Sequence, residues 1–257
     1  MRREPLGSES ELPAVERLRQ ICADYRRLPP DPDWDVTVRS EIPIAGGLGS
    51  GAALSTALVR ALFAHAGHAA APAETSAIVY ESERHYHGTP SGIDNTVIAL
   101  ERPIRFDAGA VATVRVAAPF ELVVADSGEI GLTREVVASV RARRALDPAR
   151  CDAWFDRIGR LSQSAVRALA EADLDGLGRL VDENHALLQD LGVSTPRIDR
   201  MVVAARAAGA LGAKLSGAGG GGVMFALPGR GRTEDVIGAL DRAGAARVLR
   251  TTVHAAS

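Results

Sequence analysis

Leu12, Val15, Leu18, Ile21, Cys22 and Tyr25 recur at helical spacing, which predicts an amphipathic helix over residues 10–27. The segment LPPDPD ends it. In DVTVRS, Val36 and Val38 alternate with polar residues and read as a short strand. A glycine-rich loop follows, then an apolar helical run over 52–66. Pro72 opens a helix that reaches about residue 85. HGTPSGIDN reads as a loop from its Gly, Pro and Ser content. PFELVVADSG reads as a buried strand, followed by helical stretches over 132–145, 150–171, 174–191 and 195–208. AKLSGAGGGGVMFAL reads as strand, glycine turn, strand; a helix over 233–244 and the strand ARVLRTTV close the chain.

The order of elements changes near residue 116. The second half has the content of an α+β sandwich, with helices on one face of an antiparallel sheet. Two domains are expected, 1–115 and 116–257, with ligand chemistry at their junction.

Composition narrows the class. The chain has 257 residues, 46% hydrophobic and 24% charged, with a net charge of −2, as in an ordinary globular protein. Near-neutral charge argues against nucleic acid or an anionic membrane as the main partner. No apolar run approaches a membrane span, and MRREPLGSES lacks the apolar stretch of a signal peptide, so a cytoplasmic location is expected. Cys22 and Cys151 read as buried thiols rather than a disulfide framework. Of the 30 basic residues, Lys214 alone is lysine, which reads as a compositional bias toward arginine.

The stretch EIPIAGGLGSGAAL places Gly46, Gly47, Gly49 and Gly51 directly before helix formers. A strand leading in, a curling backbone and a helix N-terminus together make a cradle for phosphate. A tight turn with close helix packing is the competing reading. The pattern is not Walker A, because no Gly-Lys-Ser/Thr follows, and it is not spaced as a dinucleotide fingerprint. A second stretch, SGAGGGG, Ser216 to Gly222, has more glycine than a hairpin needs. The surplus implies close approach of another backbone or of a ligand. Between the two lies ESERHYHGTPSGIDN, with Glu83 and Asp94. Carboxylates near a phosphate site can hold Mg2+ or orient or deprotonate a hydroxyl. Alternatively, Glu83 belongs to a solvated face with Glu81 and Arg84, and Asp94 caps a helix. His85 and His87, two apart, do not share a helix face, so zinc is not expected.

Together these stretches resemble the GHMP kinase superfamily. PIAGGLGSGAA is similar to its phosphate loop, and KLSGAGGGGVMFAL to its third motif. Within the superfamily, ESERHYHGTPSGIDNTV, ADSGEIGLTREVVASVR and DENHALLQDLGVSTPRIDRMVVAARAAGALGAKLSGAGGGG are most similar to mevalonate kinases. The resemblance runs from about residue 34 to the end. It implies an α+β, two-domain fold: an N-terminal domain like ribosomal protein S5 domain 2 and a ferredoxin-like C-terminal domain. It implies ATP-dependent phosphorylation of a hydroxyl, that of mevalonate, in the isoprenoid pathway. The alternatives are another GHMP kinase, acting on phosphomevalonate or a sugar, and a non-catalytic nucleotide-binding remnant. The resemblance makes Asp94 the catalytic residue and Glu83 a Mg2+ ligand. It makes Pro43, Ile44, Ala45, Gly46, Gly47, Leu48, Gly49, Ser50, Gly51, Ala52 and Ala53 the wrap around the ATP phosphates. Ser91, Thr133, Ser216, Gly217, Ala218 and Gly219 fall on the substrate or phosphate side. A homodimer is expected by the same resemblance.

Two features depart from the family pattern. The loop usually ends Gly-Leu-Gly-Ser-Ser-Ala, and here Gly51 replaces the second serine, a Mg2+-holding hydroxyl in similar kinases. Ser50 is then the remaining hydroxyl for that role, and water can fill the Mg2+ shell. Mevalonate kinases also begin with a Pro-Gly-Lys segment that supplies a lysine beside the aspartate. No such segment stands in this sequence, and Lys214 does not match it by position. The expectation is an N-terminal domain that is incomplete.

Overall fold

The computed structural model describes residues 18, 20–23, 36–40, 42, 47–87, 90–107 and 109–256. These divide into two compact units, one built on the described residues up to 42 with 49–102 and 106–111, the other on 47–48, 103–105 and 112–256.

The described part of the first unit is mainly helical. Helices α1 (Ser50–His65), α2 (Pro72–His87) and α3 (Ile93–Leu100) pack on one another. On α1, Ala52, Thr56, Val59 and Phe63 are buried at helical spacing, with Leu58 and Leu62 beside them. They meet Ile78 and Val79 of α2, together with Leu18, Ile21 and Cys22. Those three belong to the helix expected over 10–27, whose other apolar positions lie outside the described residues. Cys22 and Cys151 are both free and buried. The strand expected at Val36 and Val38 is absent: residues 36–40 pair with no strand among the described residues, and Val36 is exposed. Alternation specifies a face, but a strand exists only where a neighbour accepts its hydrogen bonds. A hairpin not foreseen in the sequence, β1 (Ile104–Asp107) and β2 (Ala110–Thr113), turns at Gly109.

The second unit is built on a four-stranded antiparallel sheet of order β4-β5-β3-β6. Its strands are β3 (Phe120–Asp126), β4 (Ala210–Leu215), β5 (Val223–Pro228) and β6 (Arg247–Val253). Helices α4 (Thr133–Leu146), α5 (Pro148–Glu171), α6 (Leu174–Asp190) and α7 (Pro196–Ala207) lie between β3 and β4, and α8 (Thr233–Arg242) between β5 and β6. Strand order and helix placement are ferredoxin-like, with extra helices in the first crossover. Capping side chains set several boundaries. Asp147, Asp173 and Thr195 accept the N–H groups of Arg150, Gly176 and Ile198, and prolines open α5 and α7.

Both faces of this sheet are apolar, where the sequence pattern suggested one covered face. Met224 and Ala226 join a core with Ile198, Met201 and Val202 of α7 and Val236 and Leu240 of α8. Phe225 and Leu227, pointing the other way, pack with Ala168 of α5 and Leu177 and Val181 of α6. Helix α6 lies against β4 closely enough that only glycine fits. A Cβ added at Gly178 would lie 2.4 Å from the Leu211 carbonyl oxygen, and one at Gly212 would lie 2.2 Å from that of Gly178.

Candidate active site

In the first unit, α1 starts at Ser50 from Gly49, which takes a left-handed conformation (φ 67°). No side chain caps this helix, and its first turn carries no acidic residue. Its leading N–H groups therefore keep their partial positive charge for an outside acceptor. Ala52, 1% exposed, anchors the start of the helix, while Ser50 and Ala53 are half-buried and Gly51 is exposed.

Asp94 stands beside this terminus. Its Cγ lies 3.4 Å from where a Cβ on Gly49 would be. Helix α3 fixes it there. Gly92, left-handed at φ 82°, turns the chain between Tyr80 and Phe106. The next residue after the aspartate, Asn95, is 3% exposed and donates to the Ser76 carbonyl (3.1 Å) and hydroxyl (2.9 Å). Thr96 Oγ1 donates to the Gly92 carbonyl at 2.6 Å. Asp94 itself is open to solvent and has no hydrogen bond or ion pair among the described residues. Surrounding protein partly desolvates the carboxyl, which raises its pKa above the ordinary aspartate value. Asp94 sits in the first turn of α3, but the cap is Gly92, so the competing capping role does not apply.

Glu83 is half-buried on α2, while Glu81 and Arg84 pair at 3.1 Å on the exposed face. Ser91 Oγ accepts the Ile93 N–H at 3.3 Å, which tightens the turn before α3. Pro43, Ile44, Ala45 and Gly46 lie outside the described residues, as do the side chains of His85 and His87. No cluster of three or more His, Cys, Asp or Glu occurs among the described residues.

In the second unit, the two glycine-rich stretches meet. A Cβ on Gly47 would lie 3.5 Å from the Gly217 Cα and from the Ser216 carbonyl oxygen. Leu48, next in the chain, is half-buried. The Ser216–Gly222 turn is clasped by two further segments. Gly222 N–H donates to the Glu129 carbonyl (2.7 Å), and Gly220 N–H donates to the Val193 carbonyl (2.8 Å). A Cβ at Gly219 would lie 2.3 Å from the Val193 oxygen, and one at Gly221 would lie 2.7 Å from the Glu129 oxygen. Approach of other backbone accounts for these glycines. Ala218 is half-buried within the turn. Thr133, exposed, opens α4 two residues after Gly131, which abuts the Gly219 carbonyl.

Residues that the sequence pattern did not single out hold this turn from below. Thr195 Oγ1 donates to Glu129 at 2.6 Å. Asp182 accepts the Ala213 N–H at 2.8 Å and pairs with Arg206 at 2.7 Å. Buried His185 accepts the Leu215 N–H at Nδ1 (3.3 Å) and places Nε2 3.1 Å from Asp199. Burial pushes the His185 pKa below its ordinary 6.5, with Asp199 opposing and Arg206 and Lys214 assisting. Lys214 lies over the Phe225 ring at 5.5 Å, and burial lowers its pKa to about 8. The run DENHALL places Asp182 and His185 three apart, on one side of the helix with the buried Gly178 and Val181.

The family model for the GHMP kinase N-terminal domain matches residues 13–101, and that for the C-terminal domain matches residues 165–246. The chain is 39% identical over 207 residues to the mevalonate kinase of Pyrococcus horikoshii, covering 77% of this chain and 61% of that protein. It is 35% identical over 209 residues to the mevalonate kinase of Methanothermobacter thermautotrophicus, covering 81% and 68%. The chain thus spans about three fifths of the length of the Pyrococcus relative. Its structure is similar to that of L. major mevalonate kinase in complex with R-mevalonate, at 25% identity and a TM-score of 0.78, over 97% of this chain and 80% of that one. Methanococcus jannaschii mevalonate kinase, at 22% identity and a TM-score of 0.82 over 97% and 77%, shares the fold. With both halves of the family matched in order along the sequence, the chain belongs to the GHMP kinases.

Proposed function

We propose that this chain phosphorylates the hydroxyl of mevalonate with ATP, giving 5-phosphomevalonate and ADP. One observation carries the reading: Asp94, a carboxylate with no hydrogen bond or ion pair among the described residues, stands beside the N-terminus of α1, which no side chain caps. An anion-seeking helix end next to a proton-accepting group suits phosphoryl transfer to an alcohol, which relies on positioning and charge stabilisation. The mevalonate kinases among its relatives support the choice of substrate.

In this reading the hydroxyl oxygen attacks the γ-phosphorus of ATP, the bond from that phosphorus to ADP breaks, and Asp94 accepts the hydroxyl's hydrogen bond or proton. A raised carboxylate pKa brings the acceptor closer to the operating pH. The N–H groups from Gly47 to Ala52, preceded by Pro43 to Gly46, hold the phosphates, and the Ala53 N–H closes the first turn of α1 on the Gly49 carbonyl at 2.8 Å. Ser91, Thr133 and the Ser216–Gly219 backbone lie on the substrate or phosphate side. Mg2+ would be held by Glu83 and Ser50 and supply charge neutralisation on the phosphates. Both are oxygen donors, the type Mg2+ takes, and both residues are half-buried, Ser50 at the start of α1 and Glu83 on α2. The enzyme works in the cytoplasm as a homodimer. Among the described residues, no helix is long and apolar enough to cross a membrane.

The test is direct. The chain is incubated with ATP, Mg2+ and R-mevalonate, and with phosphomevalonate and galactose in parallel, and ADP and phosphorylated product are measured. Product from mevalonate alone, abolished in Asp94→Ala with ATP binding retained, is the expected result. Turnover of another substrate instead would reassign the acceptor. ATP binding without any turnover would make the chain a nucleotide-binding protein.

A further inference from the structure

β4 is the edge strand of its sheet, and the outward N–H groups of an edge strand need partners. Helix α6 supplies them from positions one turn apart. Gly178 lets helix and strand backbones touch, Asp182 accepts from Ala213, and His185 accepts from Leu215. Leu215 is the last strand residue before the Ser216–Gly222 turn.

His185 is 1% exposed, and each ring nitrogen has a defined partner. Nδ1 faces the Leu215 N–H and is therefore an acceptor. Nε2 faces an Asp199 oxygen that also accepts from Ser194 Oγ at 2.6 Å, so Nε2 carries the proton. The ring is a neutral imidazole in a single tautomer. Protonation would set an N–H on Nδ1 against the Leu215 N–H. The charged groups facing the ring are Asp199 and Arg206 of α7 and Lys214 of β4.

We propose that His185 is a positioning residue for nucleotide use: its Nδ1 fixes Leu215, and so the place at which β4 delivers Ser216 and Gly217 to Gly47. This rests on reading the turn as part of the ATP site.

Two substitutions separate the nitrogens. The amide oxygen of His185→Asn can replace the Nδ1 acceptor, whereas His185→Gln reaches only toward Asp199. Hydrogen exchange at the Leu215 amide should match wild type in His185→Asn and be at least about tenfold faster in His185→Gln. In the same variants, kcat/KM for ATP should hold in Asn and fall on the order of tenfold in Gln. Equal behaviour of the two variants, or unchanged ATP kinetics despite faster exchange, overturns the proposal. If His185→Gln does not fold, wild type decides: Leu215 exchange, corrected for intrinsic pH dependence, should accelerate as pH falls below 6.5, and a flat profile overturns the proposal. If the parent chain phosphorylates nothing, the ATP-site function fails separately. The ATP dissociation constants of the two variants then carry the same expectation.

Discussion

At Gly51 no described residue comes within 4 Å of the place where a side chain would begin, whereas at Gly219 the Val193 carbonyl oxygen fills it at 2.3 Å. The two glycine-rich stretches look alike in sequence, yet glycine is present for different reasons. In the second stretch the chain's own backbone comes too close for a Cβ, at Gly219 and Gly221 and at the facing Gly131. In the first, Gly49 turns the backbone into α1 beside the Asp94 carboxylate, and Gly51 meets no described residue within 4 Å. Glycine surplus therefore marks close approach, and only the surroundings tell whether the approaching group is protein or room left for a ligand.

This contrast can be broken at graded strength. The largest effect belongs to the open region. Asp94→Asn should lower mevalonate-dependent turnover by about 10²–10⁴-fold. Its melting temperature should hold or rise. A carboxylate whose folded pKa is raised opposes folding once ionised, so removing the charge relieves that opposition above the unfolded pKa. A turnover assay and a thermal scan check both halves, and a fall in melting temperature with full turnover would reverse the assignment.

The crowded stretch should respond in stability first. Gly131→Ala and Gly219→Ala each force a Cβ to within 2.3 Å of a carbonyl oxygen. Each is expected to lose about 2–3 kcal/mol in urea denaturation. Gly219 has the added strain of a positive φ.

A milder perturbation of the same region is acid. The folded pKa of His185 is depressed by burial, so its stabilising contribution is complete above 6.5 and is lost as pH falls through the lower folded value. Denaturation midpoints followed downward from pH 7 should fall more steeply in wild type than in His185→Asn, which has no group to charge there.

The smallest effect returns to the first stretch. Gly51 has no positive φ and, among the described residues, no neighbour to displace. Gly51→Ser should fold normally and gain about 0.4–1 kcal/mol from reduced freedom of the unfolded chain. Tighter Mg2+-dependent ATP binding, measured by calorimetry, would show that the added hydroxyl reaches the ion. Destabilisation would show that Gly51 is as constrained as Gly219.

Local pattern alone determined most of this molecule. The helix start at Pro72, the helices over 150–171 and 195–208, whose starts lie at Pro148 and Pro196, the strand Phe120–Asp126 and the strand–turn–strand around residues 216–222 were legible. Proline, capping side chains and hydrophobic period act over a few residues, and a sequence displays them in full. Asp94 was legible as a candidate because it follows a turn-forming segment, and the family resemblance raised it above its neighbours. Tertiary structure decided the rest. Val36 and Val38 alternate as a strand should, but no described partner pairs with them. The partners of β4 come from Asp182 and His185, some thirty residues earlier, and no spacing rule connects an edge amide to a distant helix. Nor does composition distinguish Gly51 from Gly219. That difference lies in which backbone stands beside each, which only the packed chain can set.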